Sequence, residues 1–94
     1  MKYMTVWRVR PGAAKEAVKK FLETSGAPVD GVTYLGQWFS TDGTSGFTLS
    51  ETDNPAHTYR NAIRWADLLE FQMTVVVEKD DAAPLIAEWY KNNG

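Results

Sequence analysis

The stretch from Val32 to Pro55, VTYLGQWFSTDGTSGFTLSETDNP, decides the fold. Thr33 to Phe39 and Phe47 to Glu51 alternate with strand period, and Ser40 to Gly46 between them has turn chemistry. The stretch therefore predicts a β-hairpin with a longer loop. Asn54-Pro55 then predicts a helix start. The asparagine side chain can accept from an orphan N–H of the first turn, and the N–H that proline lacks is not needed there.

Upstream, Lys2 to Val9 alternates Tyr3, Thr5, Trp7 and Val9 against Met4, Val6 and Arg8, a strand that Pro11-Gly12 ends. From Ala13 to Ser25 the period becomes helical. Ala14, Ala17, Val18, Phe21 and Leu22 form one stripe, and Lys15, Glu16, Lys19, Lys20 and Glu23 take the other side. Gly26 fits the residue after the helix, and Ala27 to Gly31 reads as a loop. Downstream of the hairpin, the second helix is expected from Pro55 to about Asp67, with Ala56, Tyr59, Ala62, Ile63 and Ala66 inward and His57, Arg60 and Arg64 outward. Phe71 to Glu78 reads as a fourth strand. Asp80 or Asp81 caps a short last helix with Leu85, Ile86, Trp89 and Tyr90 apolar and Pro84 in its first turn.

The order is β-α-β-β-α-β plus a terminal helix, so the expected class is α+β. Four strands make one antiparallel sheet with two helices on one face, the ferredoxin-like arrangement. A length of 94 residues, without repeats or linkers, makes residues 1–94 a single domain. The net charge is −2 with scattered Lys and Arg, which leaves no electrostatic footprint for nucleic acid. The absence of cysteine removes disulfides, thiol catalysis and thiolate metal sites. MKYMTVWRVR lacks the apolar core of a signal peptide, and no apolar run approaches the roughly 20 residues of a membrane span, so a cytoplasmic protein is expected.

MKYM-TVW at the start, Gly36-Gln37-Trp38, and above all Gly46 to Pro55, GFTLSETDNP, resemble the small bacterial family of unknown function DUF3303. Trp65 and the strand from Phe71 to Glu78 fit the same pattern, so the likeness spans nearly the whole chain. The resemblance implies a ferredoxin-like protomer in a dimeric α/β barrel. It implies no activity and no agreed catalytic residues.

Candidate chemistry is sparse. His57 is the sole histidine, so a metal site lacks further ligands and a hydrolytic triad lacks its partners. A solvated surface residue is its expected role, and no metal or cofactor is expected. His57, Asn61 and Trp65 do share an i,i+4 ladder, but a haem-degrading relative by superfold would draw such groups from separate elements. Asp42 to Gly46 joins two strands and lacks the Lys-Ser/Thr of a phosphate loop.

Four tryptophans serve packing first. The functional alternative is a flat-ligand pocket lined by Tyr3, Trp7, Tyr34, Trp38 and Trp65, with Thr5, Gln37, Thr48 and Ser50 as its polar groups. Both faces of the sheet carry large apolar side chains, which a monomer with helices on one face leaves uncovered. A homodimer closed through the open faces, with Trp7 and Trp38 near the contact, is therefore expected. The leading function is a homodimeric barrel that binds a small molecule. The alternatives are a cofactor-independent oxygenase or isomerase acting in the pocket, by analogy of fold alone, and a purely structural or regulatory dimer.

Overall fold

Alternating apolar positions place the first strand at the centre of a four-stranded antiparallel sheet in the computed structural model, which describes residues 1–94. The elements are β1 (Lys2–Val9), α1 (Ala14–Thr24), β2 (Thr33–Phe39), β3 (Ser45–Glu51), α2 (Pro55–Ile63), β4 (Leu69–Val76) and α3 (Lys79–Asn93). The sheet order β2-β3-β1-β4 and the β-α-β-β-α-β succession are consistent with the ferredoxin-like arrangement, with α3 appended.

Register sorts the side chains into rows. On one face Phe39, Gly46, Trp7 and Phe71 stand side by side, followed by Gln37, Thr48, Thr5 and Met73, then Tyr34, Ser50, Tyr3 and Val75. Helices α1 and α2 lie over this face. The opposite face carries Trp38, Phe47, Val6 and Gln72, then Gly36, Leu49, Met4 and Thr74, and no helix of the chain covers it.

One irregularity changes the expected faces. Tyr34 pairs with Ser50 and Gly36 pairs with Leu49, so Leu35 is an extra residue in β2. A bulge of this kind reverses the alternation beyond it. Tyr34 and Phe39 consequently share the helix side and Trp38 turns to the open side, although Phe39 and Trp38 are both 54% exposed. Trp7 and Trp38 thus lie on opposite faces, and Trp7 is removed from the expected contact surface.

Helix α2 starts as its sequence predicts. Asn54 accepts from the Ala56 N–H at 2.9 Å, with Pro55 at the first helical position. Such a cap contributes about 1 kcal/mol. The helix ends at Ile63, earlier than expected, because the chain passes into tight turns: the Trp65 N–H donates to Ala62, and both the Leu68 and Leu69 N–H groups donate to the Trp65 carbonyl. Strand β4 accordingly begins at Leu69 and ends at Val76, two residues ahead of its expected span. The inward side of α2 is also different. Thr58 is buried and Asn61, Ala62 and Trp65 are half-buried, whereas Tyr59 and Ile63 are exposed.

His57 is half-buried rather than solvated. Its ring packs against Gly31, where φ is +89° and an added Cβ would lie 2.7 Å from the imidazole. Nearby, the Thr52 hydroxyl donates to the Gly31 carbonyl at 2.7 Å and ties this loop to the end of β3. The hairpin loop is organised by Asp42, which accepts from the Ser40 hydroxyl, the Thr44 N–H and the Thr44 hydroxyl.

Helix α3 is longer than expected and stands apart: none of its 15 residues is buried, and Leu85, Ile86, Trp89 and Tyr90 are exposed. It begins at Lys79, which puts Pro84 in the second turn, not the first, where it removes one backbone donor. The Lys2 ammonium donates to the Glu78 carboxylate at the entry to α3. That hydrogen bond raises the Lys2 pKa and lowers that of Glu78, each partner favouring the other's charge. No helix is long and apolar enough to cross a membrane.

Candidate functional site

The space between the sheet and its two helices is not filled. Only 11 of the 94 residues are buried, and no large side chain is fully sealed. A cavity of about 220 Å³ remains there, lined by β1–β4, α1, α2 and the turns that follow α2. Protein interiors ordinarily close such space to crystal-like density, so an opening of this size is a property of the fold to be explained.

The two ends of the cavity differ in chemistry. At one end Phe39 meets Trp7 edge-to-face with centroids 5.5 Å apart, and Phe21 from α1 meets Phe39 the same way at 5.6 Å. These contacts fix three rings that a loose core would leave free. Trp7 reaches its place because its neighbour in β3 is Gly46, where a Cβ would overlap the indole. Trp65 forms part of the wall as well. The Lys20 ammonium sits over its ring, 4.9 Å from the centroid, and donates to the Arg64 carbonyl, which joins α1 to the end of α2.

The floor and the other end are polar. Thr5, Thr48 and Ser50 are 8%, 6% and 5% exposed, and all three line the cavity. Their hydroxyls take no part in the side-chain hydrogen bonds of the chain. Asn61 of α2 bridges two elements: its Oδ1 accepts from the Val29 N–H at 3.1 Å and its Nδ2 donates to the Tyr34 hydroxyl oxygen at 2.8 Å. Thr58, one turn earlier and also in the wall, has a buried Oγ1 without a hydrogen-bond partner. No carboxylate, ammonium, guanidinium or imidazole lines the cavity.

Of the pocket candidates read from sequence, Trp7, Tyr34 and Trp65 come together in the wall. Tyr3 is buried on the same sheet face, beside Ser50, but is not in the lining. Trp38 lies on the other face and covers Gly36 there. The polar set Thr5, Gln37, Thr48 and Ser50 converges on the cavity. In the i,i+4 ladder of α2, Asn61 and Trp65 line it and His57 does not. Sequence reading missed Thr58, Phe21, Phe39 and Phe71 as wall residues. The sequence gives Thr58 no place on either face of the second helix, and Phe21, Phe39 and Phe71 read only as apolar positions of a helix and two strands. No group of histidine, aspartate and glutamate is placed to hold a metal ion.

A family model described as "Domain of unknown function (DUF3303)" matches residues 1–90 of the 94. No curated protein and no solved structure matches the chain.

Proposed function

Because the chain belongs to DUF3303, a family whose description assigns no activity, we propose from the cavity itself that this protein is a small-molecule-binding domain that works as a homodimer. The observation that carries the reading is a wall in which the buried Thr58 hydroxyl has no hydrogen-bond partner and the buried residues Thr5, Thr48 and Ser50 face the same unfilled space. A hydroxyl withdrawn from water without a partner destabilises the fold, typically by about 1–3 kcal/mol. One such hydroxyl, with three further hydroxyl-bearing residues around the same cavity, makes a poor core and a good receptor: few polar groups set in a mainly apolar wall is the usual composition of a ligand site. Fourteen of the 22 lining residues are hydrophobic, which fits that composition.

Dimerisation draws support from the other side of the sheet. Trp38, Phe47, Val6 and Met4 leave a contiguous apolar surface, and a patch of this kind on a small domain commonly marks an interface. Pairing two identical faces about a two-fold axis would close an α/β barrel and leave the cavity of each chain on the outer, helix-covered side.

Chemical-shift mapping on 15N-labelled protein with naphthalene, the simplest flat probe of suitable size, tests the binding reading. Saturable shifts centred on Thr5, Thr48 and Trp65 are expected. Shifts confined to the open sheet face, or none from either naphthalene or the ketone 1-tetralone at the solubility limit, would overturn it.

A further inference from the structure

We propose that the cavity selects a neutral, flat, largely apolar molecule of about two fused rings, carrying a hydrogen-bond acceptor that the Tyr34 hydroxyl takes. The proposal rests on the reading of the cavity as a binding site and adds the class of its occupant.

Neutrality follows from the wall. All 22 lining residues are uncharged, so a carboxylate, phosphate or ammonium on the ligand would lose water and gain no counter-charge. Size follows from volume. A cavity of roughly 150 Å³ is enough for benzene. The 220 Å³ here leaves room for a second ring. Flatness follows from the aromatic end, where Trp7, Phe39 and Phe21 are already held edge-to-face and present rigid ring surfaces.

The acceptor follows from a chain of hydrogen bonds whose direction is fixed. The Val29 N–H can only donate, so the group facing it on Asn61 must be Oδ1. The other end of that amide is then Nδ2, a donor, and the Tyr34 oxygen must accept from it. The phenol keeps its own proton, and nothing in the chain accepts it. Accepting one hydrogen bond also polarises the O–H and makes it a stronger donor. Tyr34 is thus a donor set in place by two elements before any ligand arrives. A carbonyl or ring-ether oxygen satisfies it, and a bare hydrocarbon does not. Ser50, the cross-strand neighbour of Tyr34, and the Thr5–Thr48 pair offer further hydroxyls along the floor for a second polar atom.

Three bicyclic probes separate the possibilities: 1-tetralone, tetralin and 1-naphthoate, titrated against wild type and Tyr34→Phe by chemical-shift mapping and tryptophan fluorescence. Wild type is expected to bind tetralone about tenfold more tightly than tetralin, as for one hydrogen bond to a prepared donor, and to bind naphthoate weakest. Tyr34→Phe should erase the preference for tetralone and leave tetralin affinity in place. Should that variant fold poorly, the wild-type ratio of tetralone to tetralin decides alone. Equal wild-type affinity for the two, or strongest binding of naphthoate, would overturn the ligand class while leaving the cavity a binding site. Failure of all three to bind would remove both.

Discussion

Trp7 of β1 lies across Gly46 of β3, its direct cross-strand partner, so closely that any side chain at position 46 would occupy the space of the indole. The Trp38 carbonyl stands 2.6 Å from the same hypothetical Cβ, so the backbone of β2 also blocks it. Gly46→Ala should therefore displace Trp7, break its edge-to-face contact with Phe39 and destabilise the domain by about 1–3 kcal/mol. A fall in the urea midpoint, with changed near-ultraviolet circular dichroism from Trp7, is the expected result. An unchanged midpoint would mean that the aromatic end of the cavity is softer than its geometry.

The unpaired hydroxyl predicts a gain rather than a loss. Thr58 is 8% exposed, and its buried hydroxyl has no hydrogen-bond partner. Thr58→Val keeps the shape and removes the unsatisfied group, so stability should rise by about 1 kcal/mol in ligand-free protein. The same variant should bind a polar ligand less well. A destabilised Thr58→Val in urea titration would show that the hydroxyl is satisfied, and the receptor argument would weaken with it.

Asp42 predicts a pH window. Hydrogen bonds from the Ser40 hydroxyl and from the Thr44 N–H and hydroxyl hold its carboxyl at about 2, below the ordinary 3.8. The charged form is the one the fold favours, so its contribution is complete above about 3.8 and is lost as pH falls through about 2. In an NMR titration the Thr44 amide should follow the Asp42 carboxyl with a midpoint near 2. Asp42→Asn should flatten that titration and loosen the hairpin tip. A midpoint near 3.8 in wild type would show that the loop bonds do not persist in solution.

The open sheet face predicts an assembly. Val6 sits between Phe47 and Gln72 in the row that begins with Trp38. Wild-type protein at micromolar concentration should sediment at twice the 10.6 kDa chain mass, and Val6→Asp at the single mass. Trp7, on the helix side, should be dispensable for that contact. A wild-type monomer across the whole concentration series would rule the dimer out.

Strand period, the Asn54-Pro55 start and the order of elements were legible in the sequence because each depends on neighbours within a few residues. The register of β2 was not. A single extra residue at Leu35 exchanges Trp38 for Phe39 on the helix side, and strict alternation cannot register it. Gly36, an isolated glycine inside a strand pattern, was the available signal. The inward side of α2 was misread for a related reason. An apolar stripe is expected to face the core, yet Thr58 and Asn61 face it here and Tyr59 and Ile63 do not. Polar side chains of α2 line the cavity while two of its large apolar ones face outward, which inverts the usual pattern. The convergence of Thr5, Gln37, Thr48 and Ser50 was readable once the strands were assigned, because residues of one parity on paired strands share a face.

Whatever part of the 220 Å³ opening water does not fill adds molar volume to the folded chain. Unfolding lets water into that space and shrinks the system, so hydrostatic compression should be an efficient denaturant of this domain. A molecule seated between the sheet and the helices would remove the void and with it much of the compressibility. The same solution under pressure would then separate filled chains from empty ones, whatever the occupant turns out to be.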